Sequence, residues 1–210
     1  MRLAFLTSHG GKQVQGIVQE LADLNQERKQ EASIKVIITN NLSEKKILDP
    51  IEQKVHVYYL PKKKGKDPGY DAFIIKILQK HKITYLFLIE YWCKISPSLL
   101  KHFPNRIINF HPSLLPKYAG QGMYGKRLQQ KVLASKDKET GVTAHLVTDK
   151  YDQGRILARL KIPISRRDSI KTLSKKIAAT EQALCLQIVQ DMQYKLPSSR
   201  KSTATKPKNH

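Results

Sequence analysis

The sequence predicts an α/β protein built on an open, mostly parallel sheet with helices on both faces, and three observations carry that reading. Short runs of β-branched and aromatic residues alternate along the chain with stretches whose apolar residues recur at helical spacing. Most of these runs are apolar at consecutive positions, as expected of strands buried on both faces in a parallel sheet. The chain has 210 residues, 40% hydrophobic and 26% charged, values of a globular protein able to bury a core without disulfides. Residues 1–194 form the expected domain and 195–210 a basic tail.

Taken in order, Arg2 to Thr7 reads as a buried strand, Ser8 to Gly11 as a turn, and Lys12 to Gln30 as a helix with Val14, Ile17, Val18, Leu21 and Leu24 on one face. Ile34 to Thr39 and Val55 to Tyr59 read as strands, with a short helix around Leu42, Ile47 and Leu48 between them. Asp71 to Lys80 has amphipathic helical spacing and leads into the strand Tyr85 to Ile89. Ser96-Pro97 opens a short helix through Leu100, Ser supplying the cap and Pro the first turn. Arg106 to Phe110 is the next strand. A Pro- and Gly-punctuated loop, His111 to Gly125, leads to a helix ending near Ala134. Thr143 to Thr148 and Ile156 to Ile164 read as strands, and Asp168 or Ser169 caps a long helix carrying Ile170, Leu173, Ile177, Leu184 and Ile188. From Leu196 there is little to bury, and disorder is expected.

Composition narrows the function classes. No stretch reaches the ~18 apolar residues of a membrane span; the most apolar, Ile83 to Trp92, is broken by Glu90. Arg2 to Leu6 is too short for the apolar region of a signal peptide. Cys93 and Cys185 stand in unrelated contexts, which points to no disulfide framework and no metal site. The expectation is a reduced, cytoplasmic protein with no membrane partner. Thirty-eight Lys and Arg against 17 Asp and Glu give a formal charge of +21, a field that attracts phosphates. Lys62, Lys63, Lys64 and Lys66 form one local run, and the tail another. A solvated basic surface is the favoured explanation. A nucleic-acid partner is the weaker one, because no RNA-binding motif or stacked aromatic series accompanies the charge.

In an open parallel sheet, ligands gather at the carboxyl ends of the strands, and three segments meet that condition. Ser8-His9-Gly10-Gly11-Lys12 follows the first strand, where a turn and the next helix's N–H groups suit an anion; an ordinary glycine turn is the competing reading. Asn109 and His111 fall on one face at the end of their strand, with Phe110 opposite and Pro112 stopping the strand. An amide and an imidazole aimed at one point suit an oxyanion, against the plainer roles of turn cap and carbonyl partner. Thr148 to Gly154 is a turn containing Asp152. If Asp152 faced His111, it would raise the ring's pKa and keep an imidazolium donor available.

The string Asn109-Phe110-His111-Pro112-Ser113-Leu114-Leu115-Pro116-Lys117-Tyr118, then Glu139-Thr140-Gly141-Val142-Thr143-Ala144-His145, then Tyr151-Asp152-Gln153-Gly154 resembles the folate-dependent formyltransferases, from the first strand to about Ile188. The resemblance implies a Rossmann-like formyltransferase fold, 10-formyltetrahydrofolate as co-substrate and no metal. The length and N-terminal loop are most similar to members that formylate the amine of glycinamide ribonucleotide in purine biosynthesis. Asn109 and His111 would stabilise a tetrahedral oxyanion, and Asp152 would polarise His111 and help move a proton through a water. The nucleotide's phosphate would sit on Gly10, Gly11, Lys12 and Gln13, with Glu181 and Pro112 as further acceptor contacts. The folate would lie against Tyr91, Trp92, Cys93, Ile95, Asp149, Lys150 and Tyr151.

The resemblance also marks departures. Lys12 and Gln13 replace a usual Ser and Asn, His9 and Glu90 replace glycines, and Cys93 stands where arginine is common. The catalytic trio matches and the acceptor surface does not, which leaves open an amino sugar, methionyl-tRNA or water as acceptor. A non-catalytic folate- or nucleic-acid-binding relic is the reading from another class, and the intact trio argues against it. Oligomeric state is not indicated by the sequence.

Overall fold

The computed structural model describes residues 1–28, 32–51, 54–62 and 68–195. In chain order the elements are β1 (Arg2–Thr7), α1 (Gly11–Arg28), β2 (Ser33–Thr39), α2 (Leu42–Leu48), a single 3₁₀ turn (Asp49–Ile51), β3 (His56–Tyr59), α3 (Pro68–Lys80), β4 (Tyr85–Ile89), α4 (Pro97–His102), β5 (Ile107–His111), α5 (Gly125–Ala134), β6 (Glu139–Leu146), β7 (Ile156–Pro163) and α6 (Ile170–Lys195). The strands form one seven-stranded sheet in the order β3-β2-β1-β4-β5-β6-β7. β3, β2, β1, β4 and β5 run parallel, and β6 and β7 are antiparallel to their neighbours.

That order reverses direction between β1 and β4, the topological switch point where a crevice opens at the strands' carboxyl ends. The crevice is tied across its floor: Ser8 N–H donates to the Glu90 carbonyl at 3.0 Å, and Trp92 N–H donates to Ser8 Oγ at 3.2 Å.

Both faces are covered, as the consecutive apolar runs predict. On one, Val14, Ile17 and Leu21 of α1, Leu128 and Val132 of α5, and Leu173, Ile177, Leu184 and Cys185 of α6 pack on Phe5, Phe87 and Phe110. Phe87 stacks on Phe5 at 5.8 Å and tilts against Phe110 at 5.7 Å, so the three central strands are locked through one aromatic column. On the other face, Tyr70, Ile74 and Leu78 of α3 and Leu99 and Phe103 cover Leu6, Ile38, Leu86 and Leu88. Burying each such side chain contributes roughly 1.5–3 kcal/mol.

Ser96 caps α4 by accepting from Leu99 N–H at 3.2 Å, with Pro97 in the first turn. At α6 the cap is Ser169, whose Oγ accepts from Thr172 N–H at 3.2 Å, while Asp168 accepts from Ser165 N–H. The largest boundary difference is β6, which spans Glu139–Leu146 against the expected Thr143 to Thr148. Polar Glu139, Thr140 and Gly141 pair with Pro163, Ile162 and Lys161 of the edge strand, so ladder pairing, not apolarity, sets the strand's start. α3 begins at Pro68 and β5 ends at His111, small shifts from the expected bounds. Gln30, the lysines at 63, 64 and 66, and the tail from 196 lie outside the described residues.

Candidate active site

A cavity of about 520 Å³ opens at the carboxyl ends of β4 and β5 and is closed by the segments 120–127 and 147–152. Asn109, His111, His145, Asp152, Glu90 and Glu181 all line it. The antiparallel register of β5 and β6 places Asn109 opposite His145 and His111 opposite Thr143, so all four lie on one face of the sheet.

This register builds a connected network. The Asn109 amide Nδ2 lies 3.1 Å from His145 Nε2, and His145 Nδ1 lies 2.9 Å from the Leu146 carbonyl. A carbonyl only accepts, so His145 donates to it from Nδ1, and its Nε2 faces both the Asn109 amide and, at 3.6 Å, the Asp152 carboxylate. The Asn109 amide carries two N–H groups, so one remains for a ligand. His111 Nε2 stands 3.0 Å from the Tyr118 carbonyl and Nδ1 3.5 Å from Asp152 Oδ1. Acceptors on both sides of the ring suit an imidazolium.

Burial nevertheless dominates. It pulls the pKa of His111 below 6.5 and His145 adds to the pull, while Asp152 and the Tyr118 carbonyl oppose it. Asp152 raises this pKa as expected of a facing carboxylate, but His111 is only 3% exposed and loses more from desolvation than one carboxylate returns, so the net shift is downward. Asp152 is pushed up by burial, but His145, His111 and the Gly120 N–H outweigh this and hold it below 3.8. Its Oδ2 accepts from Gly120 at 2.9 Å and its Oδ1 also stands 3.6 Å from His145 Nε2.

The turn that presents Asp152 depends on Gly154, where a Cβ would fall 1.7 Å from the Leu146 carbonyl oxygen. The loop that presents the Tyr118 carbonyl is pinned by Thr143, whose Oγ1 donates to the Ser113 carbonyl at 2.7 Å and accepts from Leu115 N–H at 3.0 Å. Lys117 pairs with Asp137 at 2.5 Å, beside a second and smaller cavity, so it serves this loop rather than the main cavity.

At the opposite end, Gly10 N–H donates to Thr7 Oγ1 at 2.8 Å, and Gly11 N–H donates to Glu44 Oε2 of α2 at 2.5 Å. The first helical N–H expected for a phosphate thus carries one of the chain's own carboxylates. Gly10, Gly11, Lys12 and Gln13 are not in the cavity wall, but Gln13 Nε2 donates to Glu181 Oε2 at 3.0 Å and so links this turn to the cavity. Glu181 is 1% exposed and its Oε1 has no hydrogen-bond partner. Burial, then the neighbouring Glu90, pushes its carboxyl up to about 8. Glu90 is raised by burial and then by Glu44.

Tyr91, Trp92, Cys93, Ile95, Asp149, Lys150, Tyr151 and Pro112 all contribute to the cavity wall. Trp92 is sandwiched between His9 at 3.7 Å and Tyr124 at 5.0 Å, Asn40 Nδ2 lies 3.0 Å from the Cys93 sulfur, and Lys94 sits over the Tyr151 ring at 5.4 Å. Burial drives the Tyr91 hydroxyl far above its ordinary range, with Tyr70 adding to the shift. The volume and the apolar walls fit a pocket for a drug-sized heterocycle. His145 and Glu44 were missed by sequence reasoning, whereas His9 lies in the turn named there and was marked as replacing a glycine. For His145 a signal existed: it closes the Glu139 to His145 string and its strand parity matches Thr143. Glu44 gave no local signal.

Residues 1–189 match the formyl transferase family model. A chloroplastic phosphoribosylglycinamide formyltransferase of Arabidopsis thaliana is 33% identical over 135 residues, 64% of this chain and 46% of that protein. The Haemophilus influenzae phosphoribosylglycinamide formyltransferase is 34% identical over 111 residues, 53% of this chain and 50% of its own length. The chain thus spans about half the length of these relatives. Among solved structures, phosphoribosylglycinamide formyltransferase from Bacillus halodurans superposes with a TM-score of 0.79 at 26% identity, covering 93% of this chain and 96% of that one.

Proposed function

The chain belongs to the formyl transferase family, and from that premise we propose that it transfers a formyl group from 10-formyltetrahydrofolate to the amine of glycinamide ribonucleotide, a step of purine biosynthesis. The observation that carries the reading is the Asn109, His111 and Asp152 network converging on one cavity, in a chain similar to enzymes bearing that name. The reduced folate supplies the activated formyl carbon. Tyr91, Trp92, Ile95 and the segment Asp149 to Tyr151 would hold it, since they supply the aromatic and apolar walls beside the trio.

The protein's own work is electrostatic. As the amine attacks, charge develops on the formyl oxygen, and the free N–H of Asn109 is positioned to donate to it. His111 starts neutral near pH 7 because burial lowers its pKa. Receiving the proton that the attacking amine releases, through a water, makes it an imidazolium between the Tyr118 carbonyl and Asp152. Asp152, held ionised, stabilises that cation. Donation from Nε2 to the oxyanion exchanges its contact with the Tyr118 carbonyl for one with substrate. As the oxyanion's electron pair re-forms the carbonyl, the bond from the formyl carbon to the folate nitrogen breaks, and that nitrogen leaves with the proton His111 held, returned through the water. Losing a donor of this kind costs ~3 kcal/mol of transition-state stabilisation.

The test is turnover of a 10-formylfolate analogue followed by absorbance, with and without the ribonucleotide. Turnover that requires the ribonucleotide and is lost in His111→Ala is expected; turnover without any acceptor would show hydrolysis instead. One observation favours a second reading, transfer to an amine without a phosphate such as an amino sugar: Glu44 already occupies the Gly11 N–H. An amino sugar in the same assay separates the two.

A further inference from the structure

We propose that Glu90 receives the acceptor's ammonium group: with Glu181 it forms a carboxyl pair at the acceptor end of the cavity, binds the protonated amine and takes the proton that must leave before attack. The inference rests on the formyl-transfer reading and names how that site recognises its acceptor.

Glu90 ends β4 at the switch point with φ +48, the left-handed region that costs any residue but glycine. Its carbonyl is fixed by the Ser8 N–H at 3.0 Å, so the strained conformation is held by the fold. A side chain kept at such a position, in the wall of the cavity that also contains Asn109, His111 and Asp152, calls for a function.

The second observation is independent of backbone strain. Glu181 is 1% exposed, lines the same cavity, and its Oε1 has no hydrogen-bond partner. A buried carboxyl oxygen without a partner is costly, and a cation beside a raised carboxyl favours its charged form, so a ligand that brings N–H groups and positive charge is favoured here. An ammonium brings three donors and a positive charge, enough to serve both carboxyls. An anion at this point would instead face Glu44, Glu90 and Glu181; burial raises the carboxyls of Glu90 and Glu181, and repulsion from Glu44 on the first and from Glu90 on the second adds to it.

The chemistry of transfer needs the same pair. An α-amino group, of pKa ~8, carries its proton at pH 7 and has no free electron pair for attack. At the pair, the N–H bond breaks, the proton goes to the Glu90 carboxylate, and the electron pair stays on nitrogen. That pair then forms the C–N bond to the formyl carbon, and the carbonyl π pair moves to the oxygen facing Asn109. Burial and Glu44 raise Glu90 and so narrow the gap between acid and amine. The titratable groups around it are Glu44 from α2, Glu181 from α6, and His111, His145 and Asp152 across the cavity.

The probe is glycinamide, which carries the amine and no phosphate. By calorimetry at pH 7 it binds the wild-type protein, and Glu90→Gln and Glu90→Gly each weaken it at least tenfold. Glu90→Gly suits the backbone and keeps or raises the Tm, so its weaker binding is not misfolding. In the transfer assay, kcat/KM for the ribonucleotide falls at least tenfold in Glu90→Gln while the Kd of a folate analogue is unchanged, and the acidic limb of the kcat profile moves. Equal glycinamide affinity in wild type and both variants, or no binding to wild type, overturns the proposal. A wild type that binds glycinamide through Glu90 but transfers nothing to the ribonucleotide keeps this subsite and overturns only the acceptor assigned above.

Discussion

The two ends of the cavity are built differently. At the trio's end, one strand pair places the side chains on the sheet, β5 and β6 setting Asn109 against His145 and His111 against Thr143, and two short loops deliver Asp152 and the Tyr118 carbonyl. At the proposed acceptor end, the wall holds Glu90, just after β4, and Glu181 of α6, coupled from outside the wall to Glu44 of α2 and Gln13 of α1, so four separate elements are involved. A ladder register is discrete, so the first arrangement resists small changes in packing. The second depends on how helices sit on the sheet, so it is free to change its chemistry while the first is kept. Three carboxyls where a phosphate-bearing acceptor is expected are the result.

This contrast can be broken from either end. His111→Ala removes the group that becomes cationic in the transition state, and formyl transfer should fall by about 10²–10⁴-fold while the Tm changes little; turnover near that of wild type would remove His111 from the mechanism. Asp152→Asn should follow at about 10–10²-fold, because it withdraws the countercharge but keeps a partner for the Gly120 N–H. In a kcat-against-pH profile its apparent His111 pKa should fall further below 6.5, since the opposing pull of Asp152 is gone.

Effects at the acceptor's end are smaller. Glu44→Gln removes the charge that competes for the Gly11 N–H, so KM for a phosphorylated acceptor should drop severalfold with kcat unchanged. An unchanged KM would show that the phosphate lies elsewhere. Glu181 binds its proton up to about pH 8 in the folded chain, against 4.5 as the ordinary value. Its stabilising contribution is therefore complete below the unfolded value and is lost as pH rises through about 8. Glu181→Gln should flatten the fall in Tm between pH 4.5 and about 8, by ~2–4 °C for each kcal/mol relieved in a chain of this size. Removing residues from Pro197 onward should alter neither Tm nor transfer, as that stretch offers little apolar surface to bury.

The same contrast explains what was legible in the sequence. The strands and helices followed from apolar spacing, and Asn109 with His111 followed from strand parity two residues apart. Asp152 was visible as a turn carboxylate, and its role came from the Tyr151-Asp152-Gln153-Gly154 string; that the turn admits no side chain at Gly154 is seen only in the structure. The start of β6 was not, since Glu139 to Gly141 join the sheet by pairing with β7 and not by their own propensity. His145 needed the register of two strands separated by more than 30 residues. Glu44 needed the seating of α2 against α1, which no local pattern records. The net direction of the His111 pKa needed burial, which outweighs the one charge that spacing suggested.

The central claim is that an ordinary formyl-transfer trio serves a phosphorylated amine through an unusually acidic acceptor end. The most direct test is kcat/KM for glycinamide ribonucleotide against its dephosphorylated counterpart, at a fixed concentration of the formyl-folate analogue. The account predicts transfer to both, with the ribonucleotide preferred at least tenfold through KM, and a larger preference in Glu44→Gln. Equal kcat/KM for the two, unchanged in Glu44→Gln, would contradict it and show that the acceptor of this chain carries no phosphate at the Gly11 turn.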